Sequence, residues 1–134
     1  MRVVADTNVL VSALIFPGGS PEAFYRLVLE GRIELATSRP LLAELGRLLT
    51  AKFGWEPDRA EEAIGQLVRL AEIVEPQETV IEIDADPADN RVLEAAAEGQ
   101  AHTIVSGDQH LLTRSSWRGV AIQVPAALLE TIDG

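Results

Sequence analysis

Short runs of β-branched apolar residues alternate along the chain with longer segments of helical periodicity, and this alternation constrains the fold more than any other feature. The first apolar run covers residues 2–5, and later ones cover 33–37, 73–74, 102–105 and 120–124. Runs of this length are typical of buried strands, and the links between segments are short. The alternation predicts an α/β fold with a mostly parallel central sheet and helices on both of its faces.

Helices are predicted between these strands from the spacing of apolar side chains and from residues that begin or end helices. The clearest apolar stripe is formed by five leucines between residues 41 and 49. Ser20 and Ser38 stand where N-caps are expected, each with a proline close behind it. The predicted helices cover residues 9–16, 20–30, 39–52, 57–72, 87–98 and 109–113, with a last one from Pro125; residues 75–88 are predicted to form a loop with an extended piece at 80–81.

The composition excludes several kinds of site. The 134 residues include no cysteine, so disulfides, thiolate metal sites and thiol nucleophiles are ruled out. Asp6 and Asn8 interrupt the apolar N-terminal segment, which we interpret as a buried strand and helix rather than a signal peptide. No apolar run has the roughly 18 residues that a membrane span needs. We therefore expect one cytoplasmic domain over residues 1–134.

The formal net charge of −10 bears on the class of ligand. Contact with a phosphate backbone usually requires a basic face, which argues against a nucleic acid as partner. Acids clustered around divalent cations would reverse that argument, because each cation cancels charge and attracts phosphate. The charge leaves room for an acidic nuclease that depends on metal ions.

Two acids follow predicted strands directly. Asp6 ends the first strand, and Asp108 follows the strand that contains Ile104 and Val105. Active sites of parallel α/β sheets lie at the carboxyl ends of strands, so both residues are candidates. The alternative is that each side chain caps the helix that follows it. For Asp6 we favour a functional role, because a carboxylate at the end of a core strand needs a partner.

Asp89 is a sharper candidate, because it lies in the middle of the apolar face of its helix. Val92, Leu93 and Ala96 follow it at helical spacing, so the carboxylate is directed towards the interior or a cleft. The alternative is a capping box that begins at Asp86. Asp86 itself is interpreted as a cap, and a metal ion would give Asp89 the partner it needs.

Glu44 borders the leucine stripe of its helix. The pattern alone favours a rim glutamate that faces water, and Arg47 stands at the right spacing to pair with it. Glu44 is a candidate because it belongs to a group of four acids from separate segments, each at an element end or a core-facing edge: Asp6, Glu44, Asp89 and Asp108. Such a set suits Mg²⁺ or Mn²⁺.

Several polar and basic residues are weaker candidates. Thr7, Asn8 and Ser106 stand beside the acids and are candidates for orienting a carboxylate or a bound water, with ordinary turn hydrogen bonding as the alternative. His102 and His110 form no metal motif and are interpreted as structural or exposed. Four arginines are candidates for phosphate contacts, with solvated surface positions as the alternative: Arg39, Arg47, Arg114 and Arg118.

The acids stand in segments that together resemble a known family. VVADTNVLVSAL, LLAEL, DPADNRVLE and IVSGDQHLL occur in this order and span most of the chain. They resemble the PIN-domain family, and within it the bacterial VapC-like toxins of toxin–antitoxin pairs. The resemblance implies a PIN-like three-layer α/β/α sandwich and RNA cleavage dependent on Mg²⁺ or Mn²⁺. By matching position the catalytic and metal-binding acids are Asp6, Glu44, Asp89 and Asp108, with Asn8 and Ser106 in supporting positions.

The resemblance also implies a homodimer and a cognate antitoxin that blocks the site. A signalling receiver domain is a rival of similar size, but it needs a lysine after a late strand, and the single lysine, Lys52, lies in a predicted helix. A non-catalytic PIN module that binds RNA or protein, and a nuclease that acts on DNA, remain as alternatives. The short chain without an added clamp favours RNA as the substrate.

Overall fold

The computed structural model describes residues 1–133, and its strands form one six-stranded sheet. The strands are β1 (Arg2–Ala5), β2 (Glu34–Ser38), β3 (Glu72–Val74), β4 (Thr103–Val105), β5 (Ser116–Trp117) and β6 (Val120–Gln123). Their spatial order is β3-β2-β1-β4-β6-β5. Neighbours are parallel except β5, which pairs antiparallel with β6. The predicted mostly parallel sheet is confirmed.

Helices cover both faces of this sheet. They are α1 (Thr7–Ile15), α2 (Ser20–Leu29), α3 (Arg39–Arg47), α4 (Pro57–Leu70), α5 (Ala88–Glu98), α6 (Gln109–Leu112) and α7 (Pro125–Asp133). One core cluster joins Phe24 of α2, Leu67 of α4 and Leu128 of α7 to one face, and a second joins Leu93 of α5 to the other. The three-layer arrangement is therefore confirmed. No helix within residues 1–133 is long and apolar enough to cross a bilayer.

The register of the central strands brings their carboxyl ends together. Val4 of β1 lies opposite Ala36 of β2 and Ile104 of β4. The pairing continues one step past β4, because the backbone N–H of Asp6 donates to the carbonyl of Val105 at 2.9 Å. The residues that follow β1, β2 and β4 consequently lie side by side at one edge of the sheet.

Two sequence-based predictions about local structure are wrong, and one strand was not predicted. Ser20 is the first residue of α2 rather than its N-cap, whereas Ser38 is the N-cap of α3 as predicted, without a side-chain capping bond. The helix predicted to continue to residue 52 changes to a π-helical turn at Leu48–Lys52. Strand β5 was not expected; its hairpin with β6 turns through Arg118 and Gly119, both at positive φ. A two-residue strand is too short to show a periodic pattern.

The loop before α5 is held by side chains instead of by a strand. The extended piece predicted at 80–81 pairs with no strand of the described residues. Val80 is buried, whereas Ile81 is 80% exposed. Glu94 accepts a hydrogen bond from the Val80 backbone at 2.8 Å. The Asn90 side chain accepts from the backbone N–H groups of residues 82 and 83 and donates to the carbonyl of residue 83. Two side chains of α5 thus replace a strand partner and fix the approach to its first turn.

Candidate active site

Asp6 is buried at the carboxyl end of β1, with 3% of its surface exposed. One carboxylate oxygen accepts a hydrogen bond from the backbone N–H of Asn8 at 3.3 Å, which makes Asp6 the N-cap of α1. The other accepts from the hydroxyl of Ser106 at 2.7 Å. Asp6 therefore caps α1 and also lies at the strand edge where functional residues are expected.

Ser106 connects Asp6 to Asp108. Its fully buried hydroxyl donates to Asp6 and accepts from the backbone N–H of Asp108 at 2.9 Å. The Asp108 carboxylate caps α6 by accepting from the backbone N–H of His110 at 2.7 Å, and its side chain is partly exposed. One hydroxyl thus links the two strand-end acids, because it donates to Asp6 and also forms the local turn hydrogen bond that was the alternative for Ser106.

Asp89 lies in the first turn of α5 and is 3% exposed. Val92, Leu93 and Ala96, its neighbours on the same helix face, are buried, so the predicted position of an acid on the apolar face is confirmed. The Oδ2 atom of Asp89 is buried and has no hydrogen-bond partner within the described chain. A buried carboxylate oxygen without a partner carries a large desolvation cost.

The structure brings Asp6, Asp89 and Asp108 into one cluster, in which one carboxylate oxygen of each lies within 4.8 Å of the others. Burial raises the pKa of Asp6, and the hydrogen bond from Ser106 opposes that shift. Burial, followed by the charges of Asp6 and Asp108, raises the pKa of Asp89 to about 8. Three carboxylates at this spacing resist full ionisation unless a cation accompanies them.

Glu44 lies beside this cluster but is not among its three members. The side chain is partly exposed, as its rim position on the helical wheel suggested. Burial and then the charge of Asp6 raise the pKa of Glu44, while Arg47 and a hydrogen bond with Thr7 lower it. Thr7 is 1% exposed, and its side chain is near enough to Glu44 to affect that pKa. Glu44 and Arg47 form no ion pair in the described residues, although their charges interact.

Two further groups at this edge have effects that the sequence patterns did not predict. Asp86 was predicted to be the N-cap of α5, but that position is held by Pro87; Asp86 lies one residue earlier and accepts from the backbone N–H of Ala88. Its charge also raises the pKa of Asp6, Glu44 and Asp89. At the end of β2 the hydroxyls of Thr37 and Ser38 are buried without hydrogen-bond partners in residues 1–133. The small polar residues at the ends of adjacent strands were the available signal for these hydroxyls.

The basic candidates fall into two groups. Arg114 and Arg118 form hydrogen-bonded ion pairs with Glu82 and Glu78, so they fasten the loop before α5 rather than stand free for phosphate. Arg39 and Arg47 are exposed and form no ion pair in the described part of the chain. The histidines also match their interpretation: His102 accepts a hydrogen bond from the backbone of Arg2, and His110 is exposed.

The donor set of the cluster fits a hard divalent cation. All three ligands are carboxylate oxygens, which Mg²⁺ and Mn²⁺ prefer over nitrogen or sulfur. A cation bound between them would provide a partner for the buried Oδ2 of Asp89 and would offset the repulsion that raises its pKa. Asp6, Asp89 and Asp108 are thus the residues that could hold the ion, and Glu44 is near enough to interact electrostatically with Asp6.

Comparison with solved structures identifies the same fold in other proteins. VapBC2 from Rickettsia felis, in a complex with a DNA fragment from its promoter, matches with a TM-score of 0.63 and 16% identity over 91% of this chain and 97% of that one. PAE2754 from Pyrobaculum aerophilum matches with a TM-score of 0.62 and 15% identity over 99% and 97%. FitAcB from Neisseria gonorrhoeae gives a TM-score of 0.55 and 17% identity over 92% and 98%.

Sequence comparison adds a relative and a family. Uncharacterized protein MJ1680 from Methanocaldococcus jannaschii is 32% identical over 117 residues, which cover 84% of this chain and 74% of that protein. The model of the PIN domain matches residues 2–110, a range that includes Asp6, Glu44, Asp89 and Asp108. The chain belongs to the PIN-domain family.

Proposed function

We propose that this protein is a metal-dependent endoribonuclease that hydrolyses RNA phosphodiester bonds with Mg²⁺ or Mn²⁺ held by Asp6, Asp89 and Asp108, and with Glu44 completing the acidic site. The observation that carries the proposal is the Oδ2 atom of Asp89, which is buried without a partner inside a cluster of carboxylates. A protein gains nothing in stability from that arrangement alone. It is therefore best explained by a bound cation.

The chain's own residues prepare the site for this chemistry. When bound, the metal would activate a water and offset the charge that develops on the scissile phosphate. Ser106 holds the Asp6 carboxylate in one orientation, and the Thr7 side chain is near enough to Glu44 to lower its pKa. Asn8 is exposed beside Asp6, where its amide is available to a water or to substrate. These contacts remove rotational freedom from the ligands before the ion binds.

RNA as substrate is supported by the family resemblance and by the free basic residues near the site. Arg39 begins α3 at the carboxyl end of β2, the sheet edge that also carries Asp6. The charge of Arg47 reaches Glu44. Both are candidates for phosphate contacts. With a net charge of −10, the affinity for RNA would depend strongly on the bound cation.

The biological setting proposed is that of a VapC-like toxin, active in the cytoplasm as a homodimer of single-domain chains and inhibited by a cognate antitoxin. The fold shared with VapBC2 and FitAcB supports this setting; at 16% and 17% identity, these matches support it through the fold alone. The low affinity for phosphate expected at a net charge of −10 favours a non-catalytic PIN module that binds RNA or protein as one alternative, and a nuclease that acts on DNA is the other.

The test is cleavage of a labelled single-stranded RNA pool, and of a DNA pool of the same sequences, with Mn²⁺, with Mg²⁺ and with EDTA. Wild type is compared with Asp6→Asn, Asp89→Asn and the control Asp84→Asn, which makes the same chemical change at an exposed loop residue. We expect RNA cleavage that needs metal, is lost in the first two variants and persists in the control. Equal cleavage by Asp89→Asn would refute its role. Cleavage of DNA in preference to RNA, or binding without cleavage, would favour the alternatives.

A further inference from the structure

A cleft of about 290 Å³ opens directly beside Asp108. Asn8 and Ser12 of α1 form one side of it, and Gly107 and Asp108 form the edge that faces the carboxylate cluster. Val9, Pro21 and Pro125 supply apolar walls. Its volume lies at the lower end of the range for small-molecule sites, which is room for one planar ring system. An RNA whose scissile phosphate lies at the carboxylate cluster would therefore place part of a neighbouring nucleotide at this cleft.

The charge of the lining indicates which part of a nucleotide fits. Asp108 is the only charged residue among the described lining residues, and it is one of the proposed metal ligands, so the lining supplies no basic side chain for a phosphate. The remaining side chains are neutral, and they offer one amide, one hydroxyl and several apolar surfaces. A nucleobase has the matching properties, because it is neutral, planar and apolar on its faces, with donors and acceptors along its edge.

We propose that this cleft binds the nucleobase of the nucleotide next to the scissile phosphate, with Asn8 and Ser12 contacting the base edge. The proposal rests on the proposed ribonuclease function and extends it from the reacting bond to the choice of sequence. Asn8 and Ser12 are four residues apart on α1, so they lie on one face of the helix, one turn from each other.

The cleft is formed and open in the structure. The Asn8 side chain is exposed, and its amide makes no hydrogen bond within residues 1–133. A Cβ atom added at Gly107 would meet nothing within 4 Å, so the space above this residue is empty of protein. Pro21 and Pro125 lie at the starts of α2 and α7, where their rings fix the backbone of two walls. Little reorganisation is needed for a base to enter.

Asparagine favours one base. Its amide has a donor and an acceptor that match N7 and the N6 amino group of adenine, and such a pair discriminates against other bases by roughly 5- to 150-fold. We therefore expect an adenine preference at one position that flanks the cleaved bond. The preference should be confined to that position, because the cleft has room for a single base.

The first test maps the cleavage sites of a randomised RNA pool by sequencing, with Mn²⁺ present. Ser12→Leu extends an apolar side chain into the cleft, and Ser116→Leu makes the same change at an exposed residue of β5. We expect wild type and Ser116→Leu to prefer adenine at one flanking position. Ser12→Leu should cut the kcat/KM for the preferred sequence by about tenfold and remove the bias at that position alone. An unchanged bias in Ser12→Leu would overturn the proposal.

The second test measures base binding without catalysis. Adenosine, which carries no phosphate, is titrated into wild-type protein in EDTA while NMR follows the Asn8 side-chain amide. We expect shifts that saturate with adenosine, are weaker with the other three nucleosides and disappear in Ser12→Leu. RNA cleavage without adenosine binding would overturn the cleft assignment and leave the proposed function standing. Adenosine binding without RNA cleavage would refute the function and support the cleft. Tighter binding of another nucleoside would overturn the adenine assignment.

Discussion

Replacing Asp89 by asparagine should stabilise the metal-free protein at high pH. In the native state burial and the neighbouring carboxylates raise the pKa of Asp89 to about 8, above its ordinary value of 3.8. The native state therefore holds a proton that the unfolded chain releases. Stability from this group is present at acid pH and is lost as the pH rises through about 8. Asparagine has the shape of the protonated acid and carries no charge, so the Asp89→Asn variant does not lose this stability as the pH rises.

The size of the effect follows from the shift and from the exposure of the cluster. Each pKa unit corresponds to about 1.4 kcal/mol, so an unscreened shift of this size would approach the total stability of a small domain. Asp108 is partly exposed at the rim, where water and counter-ions screen the repulsion. We therefore expect Asp89→Asn to raise the free energy of unfolding by about 1–3 kcal/mol at about pH 9 in EDTA.

The assay is urea unfolding followed by circular dichroism at about pH 5 and about pH 9, in EDTA. The difference between wild type and Asp89→Asn should be small at the lower pH and should grow at the higher one. Asp84→Asn should show no such growth, because this exposed side chain makes no hydrogen bond in the described residues. A lower stability of Asp89→Asn at high pH, or a difference that does not depend on pH, would contradict the raised pKa of Asp89.

Four further predictions follow from the same contacts. Leu45 is fully buried, so Leu45→Ala should lower the free energy of unfolding by about 2–5 kcal/mol in urea, whereas Leu29→Ala at a 46% exposed site should cost far less; equal losses would contradict the packing. Ser106→Ala removes the hydroxyl that orients Asp6 and should weaken metal affinity by about 10- to 100-fold in calorimetry; an unchanged affinity would rule out that role. Asn90→Ala should speed hydrogen exchange of the residue 82 and 83 amides, and unaltered exchange would contradict the anchoring. Excess Mg²⁺ should raise the wild-type melting temperature, because a bound ligand adds about 2.7 kcal/mol to the free energy of unfolding at 100 times its Kd. No rise in melting temperature would argue against a metal site.

Patterns that repeat over several residues were enough to predict most of the framework. The leucine stripe correctly indicated a core helix, and Leu45 is fully buried. Asp89 was predicted to face inwards because its apolar neighbours recur at helical spacing, and the structure confirms this orientation. Asp6 and Asp108 were expected at one sheet edge because each follows a strand, and both join the cluster. Periodicity and strand ends reflect the geometry of the backbone, which short sequences already encode.

Features that depend on a single distant contact could not be predicted. An extended piece was predicted at residues 80–81, but nothing local to residue 80 identifies Glu94 as the acceptor of its backbone N–H. Ser38 has the residue type of an N-cap, yet its hydroxyl does not bond to α3. The influence of Asp86 on three other acids depends on how the loop before α5 is folded. Tertiary packing decides such cases, because the local alternatives differ little in energy.

The central claim is that Asp6, Asp89 and Asp108 together bind a divalent cation. Titration with Mn²⁺, followed by the EPR signal of the free ion, measures this binding directly and needs no substrate. We expect saturable binding by wild type and Asp84→Asn, and binding at least about tenfold weaker in Asp89→Asn, because that variant replaces the buried carboxylate that lacks a protein partner. Equal Mn²⁺ affinity in wild type and Asp89→Asn, or no saturable binding by wild type, would contradict the claim.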